Sequence, residues 1–221
     1  MLDCVEHSTR PKPAWSIIWL HGLGADGHDF APIVPELVRP DWPGIRFVFP
    51  HAKVRPVTIN GGVPMRAWYD ISSQSIEQRA DEVGLRESIA EVDALIGRER
   101  DRGVPPARVL LIGFSQGGAL ALATGLRREA AVAGIASLSA YLPLAAQTSA
   151  EITPAGRATP VFLGHGSQDQ VVSQALGMRS RAALEGLGVT VQWRSYPMAH
   201  SVCADEVRDL GDWLTLRFSG G

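Results

Sequence analysis

The sequence has very little cysteine and no excess of either charge. Cys4 and Cys203 lie near opposite ends of a chain of 221 residues, so neither a disulfide framework nor a cysteine-based metal site is indicated. The formal net charge is -2 at pH 7, and such a chain has no basic field to attract nucleic acid or anionic lipid. We therefore expect reduced thiols, no bound metal and no nucleic-acid partner.

Long apolar segments are absent as well. The first apolar run, residues 17–20, is far too short for the core of a signal peptide or for a membrane span. From this we expect a cytoplasmic protein without stable membrane insertion. The length fits a single domain over residues 1–221, in which residues 1–14 form a flexible or peripheral N-terminal segment.

Short apolar runs alternate with amphipathic stretches along the chain. The short runs are typical of buried strands, whereas the amphipathic stretches place apolar residues at helical spacing. This alternation predicts a mainly parallel sheet with helices on both faces. The predicted strands are residues 16–20, 46–49, 108–112, 134–138, 161–163 and 190–196, and the predicted helices include residues 82–102, 174–187 and 202–218.

The most informative motif is Gly113-Phe114-Ser115-Gln116-Gly117. It follows an apolar run and precedes a helix-like stretch rich in alanine and leucine. In a strand, turn and helix context, G-x-S-x-G is typical of a nucleophile elbow, whose glycines let the strand and the helix approach while the serine stays exposed. Ser115 is therefore the predicted nucleophile.

A serine nucleophile needs a histidine to accept its proton and a carboxylate to orient that histidine. In hydrolases with this elbow both residues follow the serine, which leaves His165 and His200 as bases. His165 would require Glu129 or Glu151, which have the pattern of a helix surface and a polar loop. His200 can instead use Asp169, which follows a predicted strand. We predict Asp169 as acid and His200 as base, against the alternative of a turn-forming aspartate and a helix-capping histidine.

The tetrahedral intermediate of acyl transfer also needs backbone donors directed at its oxyanion. One predicted donor is the amide of Gln116, directly after the nucleophile at a helix N-terminus. The second is the amide of Leu23, in a glycine-rich loop at residues 21–27. A phosphate-binding loop is the alternative interpretation, but the lysine and the glycine spacing that such loops use are missing.

Residues 52–75 form a long excursion between predicted elements. Loops of this length in compact domains are usually functional or disordered, and the aromatic residues in this one favour order. We interpret the excursion as a pocket wall rather than a plain surface hairpin. Trp68 is its candidate ligand contact, whereas the other tryptophans are expected to serve packing.

Four short motifs occur in order along the chain: HGLGADG at residues 21–27, GFSQGG at 113–118, GHGSQD at 164–169 and YPMAH at 196–200. Together with PVTINGG at 56–62 and WYDI at 68–71, they resemble the small carboxylesterases of the acyl-protein thioesterase and lysophospholipase-like family. The resemblance covers almost the whole chain, from residue 15 to about residue 218, and leaves out the first dozen residues.

This resemblance implies an α/β-hydrolase fold without a large lid domain. It implies hydrolysis of small-molecule carboxylic esters or thioesters through an acyl-serine intermediate, with no cofactor, and relatives of this type suggest a homodimer. It assigns the same triad and oxyanion residues as above. The substrate-binding residues that it implies are Trp68, Ile71, Leu142 and Leu144.

Arg66 lies in the first of the two loops that carry these residues and disfavours a fully apolar groove. We therefore expect esters of short to medium acyl chains as substrates. An acyl-protein thioesterase or lysophospholipase acting on long chains is the alternative within the same class, and an acyltransferase would use the same acyl-enzyme. A catalytically inactive receptor with a hydrolase fold is the alternative from another class.

Overall fold

The computed structural model describes residues 2–73 and 81–219, so residues 74 and 75 of the excursion and the outermost residues of the expected 1–221 domain lie outside it. The strands are β1 (Cys4–Ser8), β2 (Trp15–Leu20), β3 (Ile45–Pro50), β4 (Val54–Val57), β5 (Val63–Arg66), β6 (Val109–Phe114), β7 (Gly134–Leu138), β8 (Val161–Gly166) and β9 (Val191–Tyr196). The helices are α1 (Val34–Leu37), α2 (Glu82–Asp101), α3 (Gln116–Leu126), α4 (Ala145–Glu151), α5 (Pro154–Ala158), α6 (Gln174–Gly186) and α7 (Ala204–Phe218).

Seven of these strands form one central sheet in the order β1-β3-β2-β6-β7-β8-β9. Only β1 runs antiparallel to its neighbour, and the other six strands are parallel. Strands β2, β3, β7 and β8 are buried along their whole length, which explains why they appear in the sequence as continuous apolar runs. The carboxyl ends of the parallel strands meet at one edge, where sites in such sheets form.

Helices cover both faces of the sheet and bury a separate apolar cluster on each. Buried residues of α2, α3 and α6 belong to one cluster, and those of α1 and α7 belong to the other. The predicted parallel sheet with helices on both faces is therefore confirmed. Each of the three predicted helices begins and ends within two residues of the corresponding observed helix. In the part of the chain that is described, no helix is both long and apolar enough to cross a membrane.

The N-terminal segment, which the sequence analysis expects to be flexible or peripheral, contains an edge strand. Cys4–Ser8 forms β1 and pairs with β3 at the edge of the sheet. Glu6 of this strand forms ion pairs with Arg98 of α2 and with Arg102, which directly follows that helix, each at 2.8 Å. The strand was missed because Glu6, His7 and Ser8 are exposed and polar, as is typical of an edge strand.

The long excursion combines the two structures that were treated as alternatives. Its first part is an antiparallel hairpin of β4 and β5, in which Val57 pairs with Val63. Its second part turns inward, so that Tyr69 and Ile71 line a cavity together with Ser115. The excursion is thus both a hairpin and a pocket wall.

Candidate active site

Ser115 occupies a sharp turn between β6 and α3. Its backbone has φ 54° and ψ -119°, a left-handed conformation that is costly for a residue with a side chain. The flanking glycines allow it: a side chain at Gly113 would collide with the carbonyl of Gly117, and one at Gly117 would collide with the carbonyl of Leu20. This geometry of strand, tight turn and helix supports the prediction of a nucleophile elbow.

The three residues of the predicted triad lie in hydrogen-bond contact. The Ser115 hydroxyl lies 2.9 Å from Nε2 of His200, and Nδ1 of His200 lies 2.7 Å from Oδ2 of Asp169. Because the carboxylate can only accept, Nδ1 carries the proton and Nε2 is left to accept the proton of Ser115. The arrangement can therefore convert the serine hydroxyl into a nucleophile.

Asp169 is held in place by the loop that follows β8. Its Oδ1 accepts hydrogen bonds from the amides of Val171 at 2.9 Å and Val172 at 2.8 Å, and its side chain is fully buried. These bonds leave Oδ2 directed at His200. The turn-forming role that was the alternative for this aspartate is thus present together with the contact to the histidine.

His165, the other histidine considered as base, has a different environment. It is buried, its ring stacks on Trp193, and its Nε2 donates to the carbonyl of Val172 at 2.8 Å. Burial lowers the pKa of His165 and keeps it neutral. Glu151, one of the two acids considered for it, lies at the end of α4 and forms an ion pair with Arg127. His165 therefore supports the loop that carries Asp169.

The two predicted oxyanion donors lie on the same cavity as Ser115 and His200. Gln116 is the first residue of α3, so its amide has no acceptor within the helix. In the glycine-rich loop the Gly24 amide donates to the carbonyl of Arg66 at 2.9 Å, and the Ala25 amide donates to that of Gly22 at 3.3 Å. These two hydrogen bonds therefore fix the loop on the C-terminal side of Leu23.

The cavity has a volume of about 690 Å³ and opens over Ser115. Its buried floor is mainly apolar and aromatic, and the polar residues of its rim are exposed. The floor residues are Tyr69, Tyr141, Val172 and Leu176, and the rim residues include Asp29, Asn60, Gln170 and Ser173. A pocket with such a floor fits the apolar part of a substrate.

Of the predicted substrate contacts, only Ile71 lines this cavity. Trp68, Leu142 and Leu144 are not among the described residues around it, which corrects the sequence analysis. Trp68 is fully buried in the core. The backbone of Leu142 is held by its amide, which donates to the hydroxyl of Ser180 at 2.8 Å. Leu144 caps the start of α4 in a left-handed conformation.

Tyr69 and Tyr141 are two aromatic lining residues that the sequence analysis missed. Tyr69 and Ile71 are two positions apart, and residues in extended chain alternate between sides. Applied to the segment after Ala67, this alternation would have selected Tyr69 with Ile71 and placed Trp68 on the other side. Arg66 was also misplaced, because its guanidinium turns away from the cavity lining and donates to the carbonyl of Ala52 at 2.8 Å.

Comparison with known proteins identifies the family of the chain. The chain matches the phospholipase/carboxylesterase family over residues 4–217. It is 39% identical to acyl-protein thioesterase 1 of Neurospora crassa over 91% of this chain and 86% of the relative. It is 33% identical to a probable carboxylesterase of Oryza sativa over 90% of this chain and 76% of the relative.

A solved structure leads to the same conclusion. Acyl-protein thioesterase 2 of Zea mays superposes with a TM-score of 0.84 and 30% identity, over 97% of this chain and 99% of the other. The α/β-hydrolase fold that the motifs predict is therefore confirmed. The protein is a hydrolase that acts on esters or thioesters, and the chain belongs to the phospholipase/carboxylesterase family.

Proposed function

We propose that the protein is a serine hydrolase that cleaves carboxylic esters of short to medium acyl chain through an acyl-serine intermediate. The observation that carries this proposal is the continuous hydrogen-bonded chain from Ser115 through His200 to Asp169, at 2.9 and 2.7 Å. Ser115 and His200 line a cavity that is large enough for a small substrate. The reaction uses only protein groups and water.

In the first half of the reaction, the Ser115 oxygen attacks the carbonyl carbon of the ester while Nε2 of His200 takes the hydroxyl proton. The negative charge that develops on the carbonyl oxygen is stabilised by the amides of Leu23 and Gln116. When the intermediate collapses, His200 returns the proton to the departing alcohol or thiol, and the acyl group remains on Ser115.

In the second half, water replaces the leaving group. His200 accepts a proton from this water as it attacks the acyl-serine carbonyl, and the same two amides stabilise the second oxyanion. Collapse returns the proton to the Ser115 oxygen and releases the carboxylic acid. Asp169 keeps the imidazole in the required tautomer through both halves.

The preference for short to medium chains rests on how the cavity floor is closed. Tyr69 comes from the excursion and Tyr141 from the loop after β7, and their hydroxyls meet at 3.0 Å. Both rings are buried and both line the cavity, so the pair joins its two walls. An extended acyl chain would have to separate these rings or turn back toward the rim.

Hydrolysis of long-chain acyl thioesters or lysophospholipids is the second candidate. It is favoured by the position of Arg66, whose guanidinium is bound to the carbonyl of Ala52 and places no charge on the cavity lining. The names of the Neurospora crassa and Zea mays relatives point in the same direction. Each further buried methylene of the acyl chain contributes about 0.8 kcal/mol to binding.

A chain-length series tests both candidates. The activity on p-nitrophenyl acetate, butyrate, octanoate and palmitate is measured for the wild type, for Ser115→Ala and for Ser149→Ala, in which an exposed serine of α4 is replaced. We expect Ser115→Ala to abolish hydrolysis of every ester and Ser149→Ala to leave it unchanged. Hydrolysis that survives Ser115→Ala would remove Ser115 as the nucleophile.

The optimum chain length then separates the two candidates. We expect an optimum at butyrate or octanoate for the wild type, and a shift toward palmitate in Tyr141→Ala. Tyr141→Phe is the matched control, because it keeps the ring and removes only the hydroxyl that meets Tyr69. A palmitate optimum in the wild type would favour the long-chain candidate.

A further inference from the structure

Trp68 is tied by its indole to the loop that carries one proposed oxyanion donor. Its Nε1 donates to the carbonyl of His21 at 2.9 Å, and the two rings lie 5.0 Å apart. The side chain is fully buried, so no water competes for this hydrogen bond. The bond fixes the peptide unit that begins the glycine-rich loop.

The backbone of Trp68 is tied in turn to the residue that carries the other proposed donor. The Trp68 amide donates to Oε1 of Gln116 at 2.9 Å, and Nε2 of Gln116 donates to the carbonyl of Tyr69 at 2.7 Å. The carbonyl of Trp68 accepts from the hydroxyl of Ser88 on α2. One residue thus contacts the glycine-rich loop, the start of α3 and helix α2.

His21 transmits this constraint to the Leu23 amide. Nδ1 of His21 donates to the carbonyl of Gly22 at 2.7 Å, and Nε2 accepts from the amide of Ala52 at 3.0 Å. Burial lowers the pKa of His21 to about 4, so the ring is neutral and this tautomer is kept. The Gly22 carbonyl and the Leu23 amide belong to one planar trans peptide unit, so they point in opposite directions. With the carbonyl held on the His21 ring, the Leu23 N–H is directed away from it.

We propose that Trp68 is a positioning residue that sets the distance and the angle between the Leu23 and Gln116 amides. This inference rests on the proposed function, because it concerns the oxyanion hole of that reaction. Trp68 itself does not line the cavity, and it acts through His21 and the Gln116 side chain. An oxyanion hole is effective only when both donors converge on one point, so a small displacement of one of them reduces turnover.

The test replaces Trp68 by phenylalanine, which keeps a buried ring and removes the indole N–H. We expect kcat for p-nitrophenyl butyrate to fall about 10-fold while KM changes less than 2-fold, because the oxyanion exists only after the substrate has bound. Butylboronic acid provides a second readout, since it adds to the serine as a tetrahedral anion. Its inhibition constant should rise about 10-fold in the same variant.

Trp42→Phe is the matched control. The indole of Trp42 is also buried and also donates a hydrogen bond of 2.9 Å, to the hydroxyl of Thr215, but it lies in the apolar cluster on the other face of the sheet. Both variants lose one buried indole hydrogen bond and should lose similar stability in urea unfolding. Only Trp68→Phe should lose kcat and affinity for the boronic acid.

Gln116→Met serves as a second variant if Trp68→Phe does not fold. It keeps the Gln116 backbone amide and removes the side-chain bonds to Trp68 and Tyr69, so the same loss of kcat is expected. A Trp68→Phe protein with the kcat and boronic-acid affinity of Trp42→Phe would overturn the inference. If Ser115→Ala retains activity, it is the proposed function that fails, and this outcome is measured independently of Trp68.

Discussion

Asp169 and Glu206 are two carboxyl groups whose side chains are both fully buried, and the fold treats them in opposite ways. Asp169 accepts hydrogen bonds from two backbone amides and from His200, which replace the water that burial removes. Among the described residues, neither carboxyl oxygen of Glu206 has a hydrogen-bond partner. Glu206 lies on α7 against Gly164, where the missing side chain leaves room for its carboxyl group.

A buried carboxyl group without hydrogen-bond donors is most stable in its protonated form. Burial, with a smaller contribution from the negative charge of Asp209, raises the pKa of Glu206 to about 8. Glu206 is therefore protonated in the folded protein at neutral pH. Asp169 has the donors that a charged group needs, and it is the acid that faces His200.

Replacing Asp169 by asparagine should have the largest effect. The new amide would donate to Nδ1 of His200, which moves the imidazole proton to Nε2 and leaves no acceptor for Ser115. We expect kcat to fall by about 10⁴-fold, which is about 5 kcal/mol of transition-state stabilisation. The measurement is the steady-state hydrolysis of p-nitrophenyl butyrate.

The same variant should unfold at nearly the wild-type temperature, since the asparagine oxygen can still accept from the amides of Val171 and Val172. Asp205→Asn, at an exposed position on α7, is the control for the loss of one charge. A large drop in Tm with little change in turnover would show that Asp169 serves the loop structure rather than the chemistry.

The second prediction concerns the pH dependence of stability that Glu206 introduces. Its pKa is about 8 when folded and 4.5 in the reference state, so the folded protein binds a proton more tightly than the unfolded chain. The stabilisation is complete below pH 4.5 and is lost as the pH rises to 8. By the size of the shift the loss is about 5 kcal/mol.

Glu206→Gln isolates this contribution, because glutamine has no proton to lose over that range. His21 and His165 have lowered pKa values and change stability in the opposite direction, but they do so equally in both proteins. The difference in free energy of unfolding between wild type and variant, measured in urea from pH 4.5 to 8, should therefore shift in favour of the variant. If the difference in free energy of unfolding does not change with pH, the raised pKa of Glu206 is contradicted.

The third prediction concerns Glu99 on α2, a buried acid that is stabilised by neighbouring arginine side chains. It forms ion pairs with Arg46 at 2.7 Å and with Arg102 at 3.0 Å, and its side chain is fully buried. Arg46→Met should lower the free energy of unfolding by about 2 to 3 kcal/mol, less than for a fully isolated charge because Arg102 remains. Equilibrium unfolding in urea at pH 7 measures it.

The double variant Arg46→Met, Glu99→Leu is the control for that experiment. It removes both members of the pair, so most of the lost stability should return. Turnover should match the wild type in both proteins, because neither residue lines the cavity. No loss in the single variant would mean that Arg102 and Arg98 alone compensate the charge of Glu99.

The smallest effect is expected for the activity of Glu206→Gln. At pH 7 both side chains are neutral and similar in shape, and Glu206 does not line the cavity. Its kcat/KM on p-nitrophenyl butyrate should stay within about 2-fold of the wild type. A decrease comparable to that of Asp169→Asn would show that both acids act on His200, and would remove the contrast between them.

The sequence predicted side-chain positions well where chain order and sheet geometry allow few arrangements. Ser115, Asp169 and His200 each follow a predicted strand, and the carboxyl ends of parallel strands share one edge, so their meeting could be predicted without coordinates. The buried strands could also be found, because burial on both faces makes them continuous apolar runs.

Side-chain direction outside regular elements was not predictable in this way. Trp68 and Tyr69 are neighbours and both aromatic, yet one supports the core and the other lines the cavity. Hydrophobicity does not distinguish them, whereas hydrogen-bond partners distant in sequence do. The lack of a partner for Glu206 also depends on packing between α7 and β8, which no local pattern encodes.

The bond between His200 and Ser115 joins residues that are 85 positions apart in the chain. During synthesis the elbow is made long before the histidine, so Ser115 remains an ordinary hydroxyl until β9 and the loop behind it have been added. Contacts of such long range are slow to form, because the entropy lost in closing the chain between them precedes the stabilisation that they give. Under the proposed mechanism, hydrolysis by this protein requires that the loop after β9 has reached the turn that carries Ser115.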